Sequence, residues 1–232
     1  EALSGSVAWD GKVGIDLPYH AGATYNIELN GDLKNVSSHL PSPLAKPAGE
    51  PLAVNVKVDG NLNSFELTGQ AGADNHFNSR WLLGQKLTLD RAIWAADSKT
   101  LPPLPEQSGV ELNMPPMNGA EWLALFQKGA AESVGGAASF PQHITLRTPM
   151  LSLGNQQWNN LSIVSQPTAN GTLVEAQGRE INATLAMRNN APWLANIKYL
   201  YYNPSVAKTR GDSTPSSPFP TTERINFRGW PD

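Results

Sequence analysis

Alternation of apolar and polar residues recurs along most of this chain and constrains its fold more than any other feature. Every second residue is apolar or glycine at 24–33, 52–58 and 181–188. Successive side chains of a β-strand point to opposite faces of a sheet, so each segment predicts a strand with one apolar and one polar face. The sequence therefore predicts a mostly β protein, built on a long antiparallel sheet with one apolar face and one short amphipathic helix.

The composition excludes several kinds of binding site. The chain has 17 basic and 20 acidic residues, a net charge of -3, and no long run of either sign. This balance argues against an extended phosphate-binding surface, and hence against a nucleic-acid partner. The absence of cysteine excludes disulfides and thiolate metal sites.

The chain shows neither a membrane-spanning helix nor a signal peptide. No apolar run approaches the roughly 20 residues that cross a bilayer as a helix. The first residues lack the basic region and apolar core of a signal peptide. Strand patterns begin and stop close to the two ends of the sequence, so we expect a segment of something longer.

No motif in the sequence indicates catalysis. The histidines His20, His39, His76 and His143 lie far apart, and none has a metal-ligand spacing, so each is interpreted as a surface or loop residue. A nucleophile elbow, a Gly-rich phosphate loop and a calcium loop are all missing. We predict no enzyme activity, no catalytic residue, no metal site and no cofactor. The alternative, a glycan-active enzyme, requires a carboxylate pair in a cleft among the tryptophans.

Residues 52–73 predict a hairpin. A two-residue turn after Leu62 pairs Leu62 with Phe65 and Val56 with Ala71. With this pairing every apolar side chain of the hairpin lies on the same face.

The apolar face has two interpretations. Generic β patterning favours the core of a closed sandwich or barrel, which would suit a scaffold or binding module of the envelope. Alternatively, the sheet curls into a trough whose apolar lining stays open to hydrocarbon. Alternation does not separate the two, because both need one apolar face.

From residue 143 onward the order of elements resembles the AsmA-like family of bacterial envelope proteins, which are bridge-like lipid transfer proteins. The resemblance is carried by HITLRTPMLSLGNQQWNNLSIVSQ, NGTLVEAQG and REINATLAMRNN, and by the preceding helix with Glu121, Trp122 and Leu123. The whole chain is similar to a periplasmic segment of one enterobacterial member. The family has no catalytic motif to transfer.

The resemblance implies an open, taco-shaped β-groove that spans the periplasm from an inner-membrane anchor toward the outer membrane. It implies that the groove carries phospholipid acyl chains while the headgroups stay in water. About 12 strands at roughly 4.8 Å spacing would give some 55 Å of groove. Burying a 16-carbon chain would gain on the order of 12 kcal/mol gross.

We predict that apolar residues of the strand patterns line this groove. They are Ile27, Leu29, Leu33, Val54, Val56, Val58, Leu62, Phe65, Leu67, Leu87, Leu89, Ile93, Leu146, Leu151, Leu153, Leu161, Ile163, Ile181, Leu185 and Met187.

We expect one continuous segment of a larger periplasmic groove rather than separate domains. Its expected parts are a first β section at 1–114, the helix at 115–136, a second β section at 137–201, a Pro/Ser-rich linker or loop at 202–223 and a final strand at 224–232.

The predicted helix has two possible roles. Asn118 has the position of a cap, and Glu121 follows at the spacing of a capping box. Trp122, Leu125 and Phe126 fall on one side of the helix. They form either a structural cover over apolar sheet or a gate over the groove. Deleting the helix should raise lipid access in the second case and unfold the chain in the first.

Overall fold

The computed structural model describes residues 2–132 and 138–204 of the chain, and their side chains except those of 126–132. One α-helix, α1 Gly119–Glu132, and one short 3-10 helix, Leu33–Asn35, accompany the strands. In chain order the strands are β1 Leu3–Ser4, β2 Trp9–Asp16, β3 Thr24–Asp32, β4 Ser37–Ser38, β5 Ala53–Asn61, β6 Ser64–Ala71, β7 Asn75–Leu83, β8 Leu87–Ala95, β9 Gly109–Asn113, β10 Met117–Asn118, β11 Ala138–Ser139, β12 Ile144–Leu153, β13 Gln156–Thr168, β14 Gly171–Gln177, β15 Ile181–Arg188 and β16 Leu194–Leu200.

Fourteen of these strands form a single large sheet. Twelve follow each other along it in the order β16-β15-β14-β13-β12-β9-β8-β7-β6-β5-β3-β2, while β10 and β11 pair at its sides. Within the described residues β2 and β16 do not pair, so the sheet is not closed into a barrel. The predicted fold class, a mostly β chain with an open curled sheet and one helix, is confirmed.

The sheet is mixed rather than antiparallel throughout. Strand β9 pairs in parallel with β8 on one side and with β12 on the other. Parallel neighbours require a crossover connection, and the chain supplies two: residues 96–108, and the helix-bearing stretch before β12. These pairings join the expected first and second β sections into one sheet.

The first crossover lies on the polar face of the sheet. Asn78 Nδ2 donates to Pro102 O at 3.1 Å, and the Arg91 guanidinium donates to the carbonyls of Pro105 and Glu106. The proline-rich composition of this segment suits a chain that makes side-chain contacts without joining the hydrogen-bond ladder.

The hairpin of β5 and β6 keeps the predicted face but shifts the predicted register. Val56 pairs with Gly69 instead of Ala71, and Gly60 pairs with Phe65. The shift is two residues, so every side chain stays on its predicted face.

An Asx turn accounts for this shift. Asn61 Oδ1 accepts hydrogen bonds from the backbone N–H groups of Asn63, at 2.8 Å, and Ser64, at 3.0 Å. The turn therefore begins at Asn61, and Leu62 lies at its tip with 68% of its surface exposed.

One row of paired residues crosses all twelve strands and contains only apolar residues and glycine. In order from β2 to β16 it consists of Gly11, Leu29, Val56, Gly69, Phe77, Trp94, Leu112, Leu146, Ile163, Ala176, Ala183 and Ile197. We call this the central row and the side of the sheet that carries it the apolar face. Because paired residues point to the same side, the apolar face is continuous along the sheet.

The neighbouring row on the other side of the sheet is polar in ten of its twelve positions. It consists of Lys12, Glu28, Lys57, Thr68, Asn78, Ile93, Glu111, Thr145, Val164, Glu175, Thr184 and Asn196. The sheet therefore has a polar face and an apolar face over its whole length.

Glycine and β-bulges shape the apolar face locally. A Cβ on Gly69 would overlap the ring of Phe77, which shows that this ring lies across the glycine. Bulges interrupt the pairing of β7 with β8 and of β15 with β16. Bulges bend and twist a strand, which helps a long sheet to curl.

The core is small and lies on the apolar face beneath α1. Three buried residues, Ala96, Met114 and Met117, form its centre. Five half-buried side chains pack against that centre, namely Trp94, Leu112, Trp122, Leu146 and Leu151. No large side chain in the described part of the chain is completely buried. This is the burial expected of a one-layer sheet and differs from that of a closed sandwich.

Parts of the expected segment boundaries lie outside the described residues. These are residues 133–137 at the end of the predicted helix, most of the linker or loop at 202–223, and the final strand at 224–232. Within the described chain no helix is long and apolar enough to span a membrane.

Candidate functional site

The pairing register places most of the predicted lining residues on the apolar face. Fifteen of the twenty occupy strand positions there: Ile27, Leu29, Val54, Val56, Val58, Phe65, Leu67, Leu87, Leu89, Leu146, Leu161, Ile163, Ile181, Leu185 and Met187. Leu151 joins them by packing against the core cluster. Residues from seven strands are thereby brought onto one surface.

Ile93 lies on the opposite face, so its predicted place in the lining is wrong. It pairs with Asn78 and Glu111 in the polar row, and only 5% of its surface is exposed. The bulge opposite Arg80 and Trp81 adds one residue to β8, which reverses the parity between Leu89 and Ile93.

Four of the predicted lining residues differ from the rest in their surroundings. Leu62 and Leu153 lie at hairpin ends, with 68% and 42% of their surfaces exposed, and Leu33 begins the 3-10 helix. Leu161 pairs with Thr148 and is 4% exposed, so it is packed inside the protein.

The apolar face is accessible on both sides of the part that the helix covers. Val56 and its row neighbours Leu29 and Ile163 are half-buried, and exposure rises toward both ends of the sheet. Val13 in β2 is 67% exposed and Ile197 in β16 is 56% exposed. Extended exposed apolar surface of this kind marks a binding site for an apolar partner.

Two polar side chains on the apolar face, those of Ser79 and Trp81, are hydrogen-bonded within the protein. Ser79 Oγ donates to Leu67 O at 2.9 Å, and Trp81 Nε1 donates to Ser79 Oγ at 3.0 Å. The Trp81 ring stacks on Phe65, with ring centroids 6.1 Å apart. Because these two side chains have partners, hydrocarbon can contact this part of the surface without leaving their polar groups unpaired.

The helix is capped as predicted, and it contacts the apolar face through Trp122. Asn118 Oδ1 accepts from the backbone N–H of Ala120 at 3.1 Å. The side-chain amide of Asn118, through Nδ2, donates to Glu121 Oε1 at 3.1 Å. The Trp122 ring packs against the core cluster. Leu125 is half-buried, and the side chain of Phe126 lies outside the described residues.

The polar face carries charged side chains. Among the described residues no group of three or more His, Asp or Glu side chains could hold a metal ion. One histidine differs from the prediction: His76 is 5% exposed, and its Nδ1 lies 2.7 Å from Ser98 O. It is a buried strand residue held by the first crossover, whereas a surface or loop position was expected.

A polar clasp centred on Glu180 holds the last strands together. Its carboxylate accepts from the Asn159 backbone at 2.6 Å, the Asn159 side chain at 2.7 Å and the Asn203 side chain at 3.0 Å. Burial raises the pKa of Glu180, but these hydrogen bonds favour the charged form, and the net pKa is lowered from the ordinary 4.5.

Replacing Glu180 should weaken the fold in a pH-dependent way. In Glu180→Gln, an NH₂ group replaces one carboxylate oxygen and faces the N–H donors of Asn159 and Asn203. We therefore expect the free energy of unfolding to fall by about 1–2 kcal/mol at pH 7. Because the folded pKa is lowered, the stabilisation is present above the unfolded pKa and is lost as the pH falls through the folded pKa. Urea unfolding at neutral and at strongly acidic pH should show a difference that shrinks in acid.

Glu175→Gln is the matched control, since Glu175 lies half-exposed in the polar row. It should change the free energy of unfolding by less than about 0.5 kcal/mol at either pH. An equal effect of both substitutions would contradict the role of the clasp.

The structure adds residues to the apolar face that the sequence prediction omitted. Phe77, Trp94 and Leu112 occupy the central row between Gly69 and Leu146. Phe77 and Leu112 follow the alternation of their own strands, whereas Trp94 reaches this face through the bulge in β8. Their common surface emerges only when the strands are paired.

The family model described as YhdP protein matches residues 1–232, which is the whole chain. No solved structure matches this chain.

Proposed function

The chain belongs to the YhdP family, and we propose that it transports phospholipids between the inner and outer bacterial membranes by letting acyl chains slide along its apolar face. At the level of the family, membership indicates lipid transport in the cell envelope. The further steps, which concern the cargo, the route and the sliding, are the content of the proposal. It assigns no chemical reaction to any residue.

The observation that carries the proposal is the central row. An acyl chain lying along this row would meet only apolar side chains and glycine from β2 to β16. A second row beside it, through Ile27, Val58 and Leu67, is also apolar except at two serines. Two neighbouring apolar rows suit a lipid with two acyl chains.

Uniform surroundings permit movement without a large barrier. Each buried CH₂ is worth about 0.8 kcal/mol, and a chain that advances by one strand spacing exchanges one apolar contact for a similar one. The gross gain therefore changes little along the row. Headgroups would remain in water at the open side of the curled sheet.

The proposal places this chain in the periplasm as one continuous segment of an inner-membrane-anchored protein that reaches the outer membrane. Its partners are phospholipid acyl chains, and it binds no nucleic acid. The predicted lining residues on the apolar face would contact the cargo, Val56 among them.

Photo-crosslinking in cells tests the proposal directly. Benzoylphenylalanine placed at Val56 in the full-length protein should form phospholipid adducts, because this position belongs to the central row. The neighbouring positions Asn55 and Lys57 point to the polar face of the same strand and should form none. Mass spectrometry of the adducts identifies the lipid.

These two neighbours are the matched controls, since they share the strand and its local stability with Val56. Adducts at none of the three positions in a folded protein would overturn the proposal. Equal adducts at all three would also count against it, because lipid would then contact both faces.

A further inference from the structure

The helix lies on the apolar side of the sheet, and the described residues before and after it pair with the sheet at opposite ends of the strands. We call the described residues 117–132 and 138–140 the strap. Before α1, Met117 pairs with Leu151 near the end of β12; after it, Ala138 pairs with Leu87 at the start of β8. Since β8 and β12 both run parallel to β9, these two anchors lie at opposite ends of the strands.

Trp122 covers the middle of the central row. Its ring packs against the buried cluster of Ala96, Met114 and Met117. The central-row residues Trp94, Leu112 and Leu146 pack against the same cluster. At these three strands the apolar surface is therefore already occupied by protein, whereas it stays accessible on both sides of them.

A hydrogen bond holds the strap to a distant part of the chain. Trp122 Nε1 donates to Ser42 O at 3.0 Å, although the two residues are 80 positions apart. Ser42 lies in the connection from β3 to β5, which is separated from β12 by several strands of the sheet. The strap and this connection together bridge the apolar face.

We propose that the strap is an autoinhibitory element that interrupts the lipid path at β8, β9 and β12 and must be displaced for a lipid to pass. This inference rests on the proposed function. Trp122 and an acyl chain cannot occupy the same part of the central row. When the strap is displaced, the buried cluster loses its contacts with Trp122 and gains contacts with the acyl chain. An arriving acyl chain can therefore displace the strap itself.

A reversible covalent lock tests the strap. The chain contains no cysteine, so two introduced cysteines form a defined pair. Thr88 and Ser139 are paired neighbours where β11 meets β8, and neither is a predicted lining residue. Cα atoms of paired strands lie within the range that a disulfide spans. Thr88→Cys with Ser139→Cys should tie the strap to the sheet when oxidised and free it when reduced.

The measurement uses benzoylphenylalanine in the full-length protein at two positions that flank the strap. Val56 reports on the β2–β7 side and Leu185 on the β13–β16 side. Locking should change the ratio of phospholipid adducts at the two positions by roughly tenfold or more, because the section beyond the strap empties. Reduction should restore the ratio, and the side that empties reveals the direction of movement.

Single-cysteine variants, Thr88→Cys and Ser139→Cys, are the controls and should leave the ratio unchanged. An unchanged ratio in the oxidised pair, with the disulfide verified by mass, would overturn the strap as a barrier. Absence of adducts at both positions in the reduced pair would instead refute the proposed function. The reduced protein also serves as the folding control for its own locked form.

Discussion

A Val56→Asp substitution is expected to lower lipid occupancy beside it about 100-fold, because a carboxylate facing hydrocarbon costs about 2.5–3.5 kcal/mol. Val56 lies in the central row between Leu29 and Gly69, so an acyl chain on this row cannot avoid it. Val56 is only half-buried, and the free protein can hydrate the new carboxylate. The main effect should therefore fall on lipid binding rather than on folding.

Benzoylphenylalanine at Leu29, the cross-strand neighbour of Val56, reports this effect as the yield of phospholipid adduct. Asn55→Asp is the matched control, since it introduces the same charge one residue away on the polar face. It should leave the adduct yield at Leu29 unchanged. A similar loss from both substitutions would indicate damage to the strand and would contradict a face-specific lipid path.

Leu161→Ala is expected to lower the free energy of unfolding by about 2–4 kcal/mol, the largest stability effect we predict. Leu161 is 4% exposed in β13, which makes it one of the most buried apolar residues described. Removing its side chain leaves a cavity that this small core cannot refill. Urea denaturation of the chain measures the change.

Leu153→Ala is the matched control for Leu161→Ala. Leu153 ends the neighbouring strand β12 and is 42% exposed, so its truncation should cost less than about 1 kcal/mol. Equal costs would show that burial in this sheet does not govern stability. Lipid adducts at Val56 should survive Leu161→Ala under conditions where the variant stays folded, because Leu161 is buried and lies in β13, several strands away from Val56 in β5.

The apolar face could be predicted because the side of the sheet to which a strand residue points depends only on whether its position along the strand is odd or even. The hairpin of β5 and β6 shows why: its register differs from the expected one by two residues, yet Val56 and Leu67 remain on the predicted face. A side-chain period of two is unchanged by such a shift. Only an odd displacement moves a residue across the sheet, as the bulge in β8 does for Ile93.

Burial was not predictable from the same pattern. Leu161 and Ile163 lie two positions apart on the same face of β13 and look equivalent in sequence. Leu161 is nevertheless buried, whereas Ile163 is half-buried. The difference depends on what the neighbouring segments place over each position. His76 is a second example, since the first crossover covers it and supplies the carbonyl of Ser98.

Local sequence was enough to predict the strands, the apolar face of each strand and the capped helix, because each of these depends on interactions between residues close in the chain. The parallel pairing of β9, the pairing of the strap at opposite ends of the strands and the contact of Trp122 with Ser42 emerged with the folded chain. These contacts join residues that are far apart in the chain. A short stretch of sequence does not indicate which distant residues it will contact. Whether the apolar path is open or covered at a given strand is therefore a property of the assembled sheet.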